Sequence, residues 1–263
     1  MRFVLLAVLT TLTLQAYAKY EIPADDKVLH QLGECRTEFL PPQFQLFVWN
    51  IKKAEAQDKW ARDFELFTPR SHLVLIQEAM IDDFMPAIVL RQPGFCWDFA
   101  ASFLDNSRNP TGVMTGSLIR PLSMQFLRSP GREPVINTPK MVIVHEYALA
   151  NSLETLLVAN IHGLNATTNK LNREQIEQVA AVLQKHTGPL IFAGDFNSWN
   201  KDRLDFLDEI LGRLGMKKLS FEKDRRRFKL DHIYVRGLQT VATELHNDID
   251  TSDHKPLSAM FSL

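Results

Sequence analysis

The chain has 263 residues, 45% of them hydrophobic and 23% charged, with a formal net charge of −1. These are ordinary globular proportions, enough for one large core, and they exclude a low-complexity or disordered chain. The balanced charge argues against tight, non-specific binding of duplex nucleic acid, which draws on a strong basic excess, but leaves room for a local basic patch.

In chain order, Arg2 precedes an apolar run from Phe3 to Leu14, and Ala16-Tyr17-Ala18 offers small residues for cleavage after Ala18. This predicts a secretory signal peptide over residues 1–18, and so an exported protein, periplasmic or secreted; the alternative is an uncleaved N-terminal anchor. No later stretch is apolar enough to cross a bilayer, so no stable membrane insertion is expected. Residues 19–43 read as an irregular lead-in, and residues 44–263 as the folded domain. The two cysteines, Cys35 and Cys96, are compatible with one disulfide or with two separately buried thiols. They lack the paired spacing of a structural zinc site.

Phe44 to Val48 predicts a strand, Ala54 to Phe67 a helix stopping before Pro69, and Leu73 to Ile76 a buried strand. Ile81 to Leu90 reads as a helix despite Pro86. Trp97 to Phe103 and Val113 to Ile119 read as strands separated by a polar loop. Met141 to Ala148 and Thr155 to Ile161 suggest a hairpin. Lys170 to Lys185 has the clearest helical periodicity, with Leu171, Ile176, Val179, Ala180 and Leu183 mostly on one face. A buried strand at Leu190 to Ala193 and a helix at Arg203 to Leu214 follow. Phe228 to Val235, Val241 to Leu245 and Leu257 to Phe261 close the chain as strands. Strands that alternate with helices yet also pair as hairpins predict mixed sheets covered by helices.

Polar residues recur where apolar strands end: Asn50, Glu78, His162, Asp195 with Asn197, Asp231 with His232, and Asp253 with His254. Strand ends on a rigid sheet are good places to hold reacting groups. Hard carboxylate and amide oxygens suit Mg²⁺, with Mn²⁺ or Ca²⁺ as alternatives, and a cation among carboxylates and imidazoles suits attack of water on phosphorus. Singly, each is more often a solvated loop residue or a structural histidine.

Taken in order, Val48-Trp49-Asn50-Ile51, Ile76-Gln77-Glu78, Asn160-Ile161-His162, Gly194-Asp195-Phe196-Asn197-Ser198, Leu230-Asp231-His232-Ile233 and Ser252-Asp253-His254-Lys255-Pro256 resemble the endonuclease/exonuclease/phosphatase superfamily, the fold of deoxyribonuclease I. The final stretch also resembles an uncharacterised bacterial branch of it, which implies little about substrate. The resemblance covers about Phe44 to Leu263. It implies a four-layer α/β sandwich, two packed mixed sheets flanked by helices, and roles residue by residue. Glu78 would be the principal metal ligand, with Asn50 beside it and Asp253 completing the acidic cluster. His254 would contact the phosphate or act as general base, oriented by Asp231. Asp195 would position or deprotonate the attacking water, Asn197 would donate to a phosphoryl oxygen, and His162 would sit opposite, bonding the phosphate or protonating the leaving oxygen. Asn165 is a candidate substrate contact, with loop capping as its plain alternative.

Several features take the plainer reading first. Arg225-Arg226-Arg227 reads as a solvated charge run rather than a polyanion grip. Arg173 reads as a helix-surface residue, Lys140 as a strand flank, Trp97 and Trp199 as packing, and His232 as a neighbour of Asp231. The superfamily cleaves DNA, RNA, lipid head groups and small esters with one shared centre. The aromatic-arginine pair usual in inositol polyphosphate 5-phosphatases is absent after Asn197, and no aliphatic hairpin suits bilayer entry. A phosphodiesterase or nuclease is therefore expected, DNA or RNA being candidate substrates. The alternatives are a phosphomonoesterase or lipid-head-group hydrolase, and a binding module without chemistry. No protein partner is implied, and a monomer is expected.

Overall fold

The computed structural model describes residues 20–263; the expected signal peptide lies outside the described residues. One seven-stranded sheet runs in the order β1 (Leu29–Gly33), β5 (Cys96–Leu104), β6 (Pro110–Ser117), β4 (Leu73–Met80), β3 (Gln43–Asn50), β14 (Leu257–Ser262), β13 (Gln239–Leu245). The second runs β11 (Lys217–Lys218), β12 (Asp231–Arg236), β10 (Leu190–Asp195), β9 (Thr155–His162), β8 (Met141–Leu149), β2 (Phe39–Leu40), and β7 (Ser123–Arg128) also pairs with β8. Helices α1 (Asp58–Phe67) and α2 (Met85–Val89) cover the first sheet, and α3 (Asn169–Leu183) and α4 (Lys201–Arg213) cover the second.

Alternation along each strand builds the layers. On β3, Leu46 and Val48 face the second sheet, where they join Val158, Ile191 and Ala193 in the central core. Phe47 and Trp49, one residue out of phase, pack with Trp60 and Phe64 of α1. On β10, Ile191 and Ala193 face inward while Leu190 and Phe192 meet Ile176 and Leu207 of α3 and α4. A side-chain period of two with both faces covered explains why these strands read as unbroken apolar runs. The result is the expected four-layer sandwich.

Polar groups also cross the central seam. The Gln77 amide donates to Asn160 Oδ1 at 2.7 Å, and Asn160 Nδ2 donates to the carbonyls of Ile76 and Met114. These bonds clamp β4 to β9 immediately behind Glu78 and His162. Farther along the seam, His145 Nε2 meets Asp98 Oδ2 at 2.9 Å.

The structure differs from the sequence reading in places. The stretch before Phe44 is not irregular: β1 pairs with β5 and β2 with β8, so it forms part of both sheets. Its strands, of five and two residues, are too short to show the apolar run that marks a buried strand, and both lie at sheet edges. Cys35 and Cys96 form a disulfide, which joins this segment to β5. Helix α1 begins only at Asp58, because Lys52, Lys53, Ala54 and Gln57 take positive φ. Helix α2 shrinks to one turn with Pro86 at its start. Strand β12 starts at Asp231 rather than Phe228.

Candidate active site

Three strand ends carry His162, Asp195 and Asp231 side by side. Asp195 is in register with His162 across the parallel β9–β10 pair and with Asp231 across the antiparallel β10–β12 pair. Gly194 allows this: its φ is +135°, and a Cβ there would fall 2.2 Å from the Ile161 carbonyl oxygen. Across the seam, Glu78 lies in a β-bulge of β4, where register is lost between Ile76 and Ala79, with φ of +52°. Regular alternation would send its side chain to the helix face with Ile76. The bulge re-aims it into the cleft instead.

The cleft has a volume of 410 Å³ and gathers Glu78, His162, Asp195, Asn197, Asp253 and His254, with Asn165 on its rim. Asp231 bonds His254 Nδ1 with both carboxylate oxygens at 2.9 Å, which holds the proton on Nδ1 and leaves Nε2 4.0 Å from Asp195 Oδ2. His162 Nε2 lies 3.6 Å from Asp195 Oδ2 and 3.8 Å from Glu78 Oε1. Asn50 stands behind Asp195, its Nδ2 donating to Oδ2 at 3.0 Å. Asn197 donates its backbone N–H to Asp195 Oδ1 and its amide to Oδ2 and to the Gly163 carbonyl. Ser252 Oγ donates to the Asn50 carbonyl and Trp49 Nε1 to the His254 carbonyl, which fasten the loop before β14 to the end of β3. Asp253 is exposed at the mouth, and Asn165 is exposed on a loop whose backbone N–H donates to Glu133.

Electrostatics divide these groups. Burial, reinforced by the Asp231 charge, pushes the Asp195 carboxyl up to about 7. Burial alone would lower His254, but the Asp231 carboxylate beside it prevails and raises it to about 10. His162 is driven well below the ordinary imidazole value by burial and by the positive charges of Lys140 and His254. At neutral pH the cleft therefore holds one imidazolium and one neutral imidazole.

The donor set fits a hard divalent cation. Glu78 is partly exposed to the cleft and, among the described residues, accepts no hydrogen bond, so its lone pairs are available. Asp195, Asp231 and His254 form a tighter group whose donor atoms lie within 4.8 Å of one another. There, however, Asp231 and His254 already satisfy each other and Asp195 accepts three hydrogen bonds, so Glu78 offers the freest oxygens.

Sequence reasoning passed over several participants. Lys140, read as a flank, is nearly buried, pairs with Glu133 at 3.4 Å, and lines the cleft with it. Lys53 lines the facing side. Arg203 is buried, and its guanidinium donates to the carbonyls of Leu164, Asn165, Thr167 and Asn197. It ties the loop after His162 to the loop after Asp195. Arg226 is no solvated charge: Nη1 donates to the Asp231 carbonyl at 3.0 Å while Nε and Nη2 hold Asp224. Its only sequence signal was its place inside a basic run. His232 is a neighbour, as expected, with Nε2 2.8 Å from Ser198 Oγ. Trp97 is core, whereas Trp199 is half exposed with Arg203 over its ring.

Comparison with known proteins agrees with this architecture. Residues 48–254 match the model of the Endonuclease/Exonuclease/phosphatase family. The UPF0294 protein of Vibrio campbellii is 31% identical over 264 residues, covering 93% of this chain and 91% of that protein. The structure of ANGEL2, a 2′,3′-cyclic phosphatase, superposes with a TM-score of 0.65 at 15% identity, covering 89% of this chain and 98% of that one. The human Nocturnin catalytic domain, solved with a bound sulfate anion, gives 0.64 at 17%, covering 89% and 97%. With the motifs in order on the strand ends, the family match across most of the chain and the shared fold, the chain belongs to the endonuclease/exonuclease/phosphatase family.

Proposed function

We propose that the protein is an exported, divalent-metal-dependent phosphodiesterase, most suited to nuclease chemistry, that cleaves by attack of water on phosphorus. The observation that carries this reading is the convergence on one cleft of a free carboxylate (Glu78), a buried carboxylate raised to about 7 (Asp195) and an imidazolium held by Asp231 (His254). Glu78, with Asp253 lining the same cleft, would hold Mg²⁺, Mn²⁺ or Ca²⁺, which would supply Lewis-acid stabilisation of charge on the phosphoryl oxygens.

The chain's own groups supply the rest. Asp195, poised near neutral pH, takes the proton of the attacking water. His254, cationic and fixed through Nδ1, directs its Nε2–H at a phosphoryl oxygen; the raised value favours this over a general-base role. Neutral His162 orients the phosphate or the leaving oxygen by hydrogen bonding. Asn50 and Asn197 hold the Asp195 carboxylate in place.

One protein of the same fold, ANGEL2, is a 2′,3′-cyclic phosphatase solved in complex with adenosine-2′,3′-vanadate. Export is supported by the leader pattern of residues 1–18 and by the Cys35–Cys96 disulfide, a bond that persists in oxidising compartments. The test is hydrolysis of bis-p-nitrophenyl phosphate by residues 19–263 in Mg²⁺, Mn²⁺ and EDTA, with Glu78→Ala alongside. Metal-dependent turnover lowered at least 100-fold in the folded variant is expected. Equal turnover in EDTA, or in Glu78→Ala, overturns the assignment.

A further inference from the structure

A second depression, of 420 Å³, adjoins the catalytic cleft and shares Leu230, Asp253 and His254 with it. Its far wall is the segment from Arg225 to Phe228, together with Lys255. Arg226 pins this segment from within, through Asp224 and the Asp231 carbonyl, and Lys229 adds a second cation to Asp224 at 3.2 Å. Asp224 is thereby neutralised locally. Arg225 and Arg227 are left exposed on either side of the pin, with no ion pair among the described residues. The Arg227 guanidinium lies 5.2 Å from the centre of the Phe228 ring, which is 55% exposed.

Two arginines without an ion pair among the described residues and a half-exposed aromatic ring thus stand on an anchored loop that lines the same depression as His254. Cations lining the depression beside His254 suit a phosphate that neighbours the scissile one, and an exposed ring suits an unstacked base. Stacking on a side chain requires a base not already paired within a duplex. Each depression is of the size of small-ligand pockets, not of a duplex groove. The net charge of −1 agrees, since it confines anion attraction to a local patch.

We infer that the Arg225–Phe228 loop is a subsite for the nucleotide next to the scissile phosphate, and that the substrate is single-stranded nucleic acid laid across His254 with one nucleotide in each depression. The inference rests on the phosphodiesterase reading above and adds the substrate class to it.

The test compares wild-type protein with Arg225→Ala/Arg227→Ala and with Phe228→Ala in Mg²⁺, on a labelled single-stranded oligonucleotide, on the same sequence as a duplex, and on bis-p-nitrophenyl phosphate. Thermal melting confirms that each variant is folded. The ratio of kcat/KM for the single strand to that for the small diester should fall at least tenfold in the double arginine variant, mainly through KM. Its dependence on salt should weaken by about 0.7 in logarithmic slope for one lost phosphate contact. Phe228→Ala should lower the same ratio about tenfold through lost stacking. An unchanged ratio, or a wild-type preference for duplex, overturns the subsite. Wild-type hydrolysis of the small diester with nucleic acids untouched also overturns it while leaving the phosphodiesterase reading in place. Failure on all three substrates defeats the reading itself.

Discussion

His162 and His254 face one cleft, and their surroundings keep the first neutral and the second cationic. Asp231 gives His254 two acceptor oxygens at 2.9 Å, whereas His162 has carboxylate oxygens only at 3.6 and 3.8 Å and carries the full cost of burial. With Asp195 raised to about 7 and His254 to about 10, kcat/KM in limiting metal should be bell-shaped. Rate rises with pH through about 7 as Asp195 loses its proton, and falls towards 10 as His254 loses its own. A bound cation favours the ionised carboxylate, so saturating metal should move the acid limb to lower pH. In Asp231→Asn the alkaline limb should move down towards the ordinary imidazole range, with kcat lowered on the order of 100-fold or more. A pH–rate series on bis-p-nitrophenyl phosphate checks both limbs; an alkaline limb unmoved in Asp231→Asn would remove His254 from the assignment. At this scale the residue types were legible in the sequence, because the motifs name them. Their protonation states were not, since those depend on which groups the fold buries and at what distance.

Secondary-structure elements set the reach of these groups. Arg203 in the first turn of α4 donates to four carbonyls on the loops that follow β9 and β10, and those loops carry Asn165 and Asn197. Only a planar five-donor fork serves that many acceptors, so lysine is no substitute. Arg203→Lys should destabilise the protein by about 3 kcal/mol through unsatisfied buried carbonyls and lower the melting temperature by roughly 5–10 °C. It should also lower kcat more than it raises KM, because Asn197 is positioned through this clamp. Calorimetry with steady-state kinetics checks the pair of effects, and an unshifted melting temperature would show the clamp to be dispensable. Nothing in the sequence marked Arg203, which looks like any polar residue in the first turn of an amphipathic helix. The bulge at Glu78 was equally silent: alternation along Leu75-Ile76-Gln77-Glu78 points the carboxylate at the helices, and only the lost register with β6 turns it to the cleft. Buried strands, by contrast, were readable, since covering both faces forces continuous apolar runs.

Across the whole molecule, the cleft exists because two sheets present their ends at one edge of the sandwich. Gln77 and Asn160 hold those ends in register across the seam. The Cys35–Cys96 bond closes a loop with a sequence separation of 61 residues between the edge segment and β5. Restricting the unfolded chain by a loop of that size is worth about 4 kcal/mol in the chain-entropy model. Reduction should therefore lower the melting temperature by roughly 10 °C. Because the bridge lies among residues that line no part of the catalytic cleft, activity at 25 °C should change less than twofold. Melting curves with and without dithiothreitol, and rates on the same samples, decide this; a large loss of rate with little loss of stability would mean the bridge shapes the site.

The sequence by itself determined the strand and helix types of the core and the set of reacting groups, because apolar periodicity and short motifs are local properties of the chain. The tertiary structure decided what no local pattern carries. It paired Cys35 with Cys96, aimed Glu78 through a bulge, and kept His254 cationic and His162 neutral. It also brought Lys140 into the cleft, and it turned one arginine of a basic run inward against Asp231 while leaving its two neighbours exposed beside His254. Each of these depends on distances between residues remote in the chain, which only the packing of the two sheets fixes.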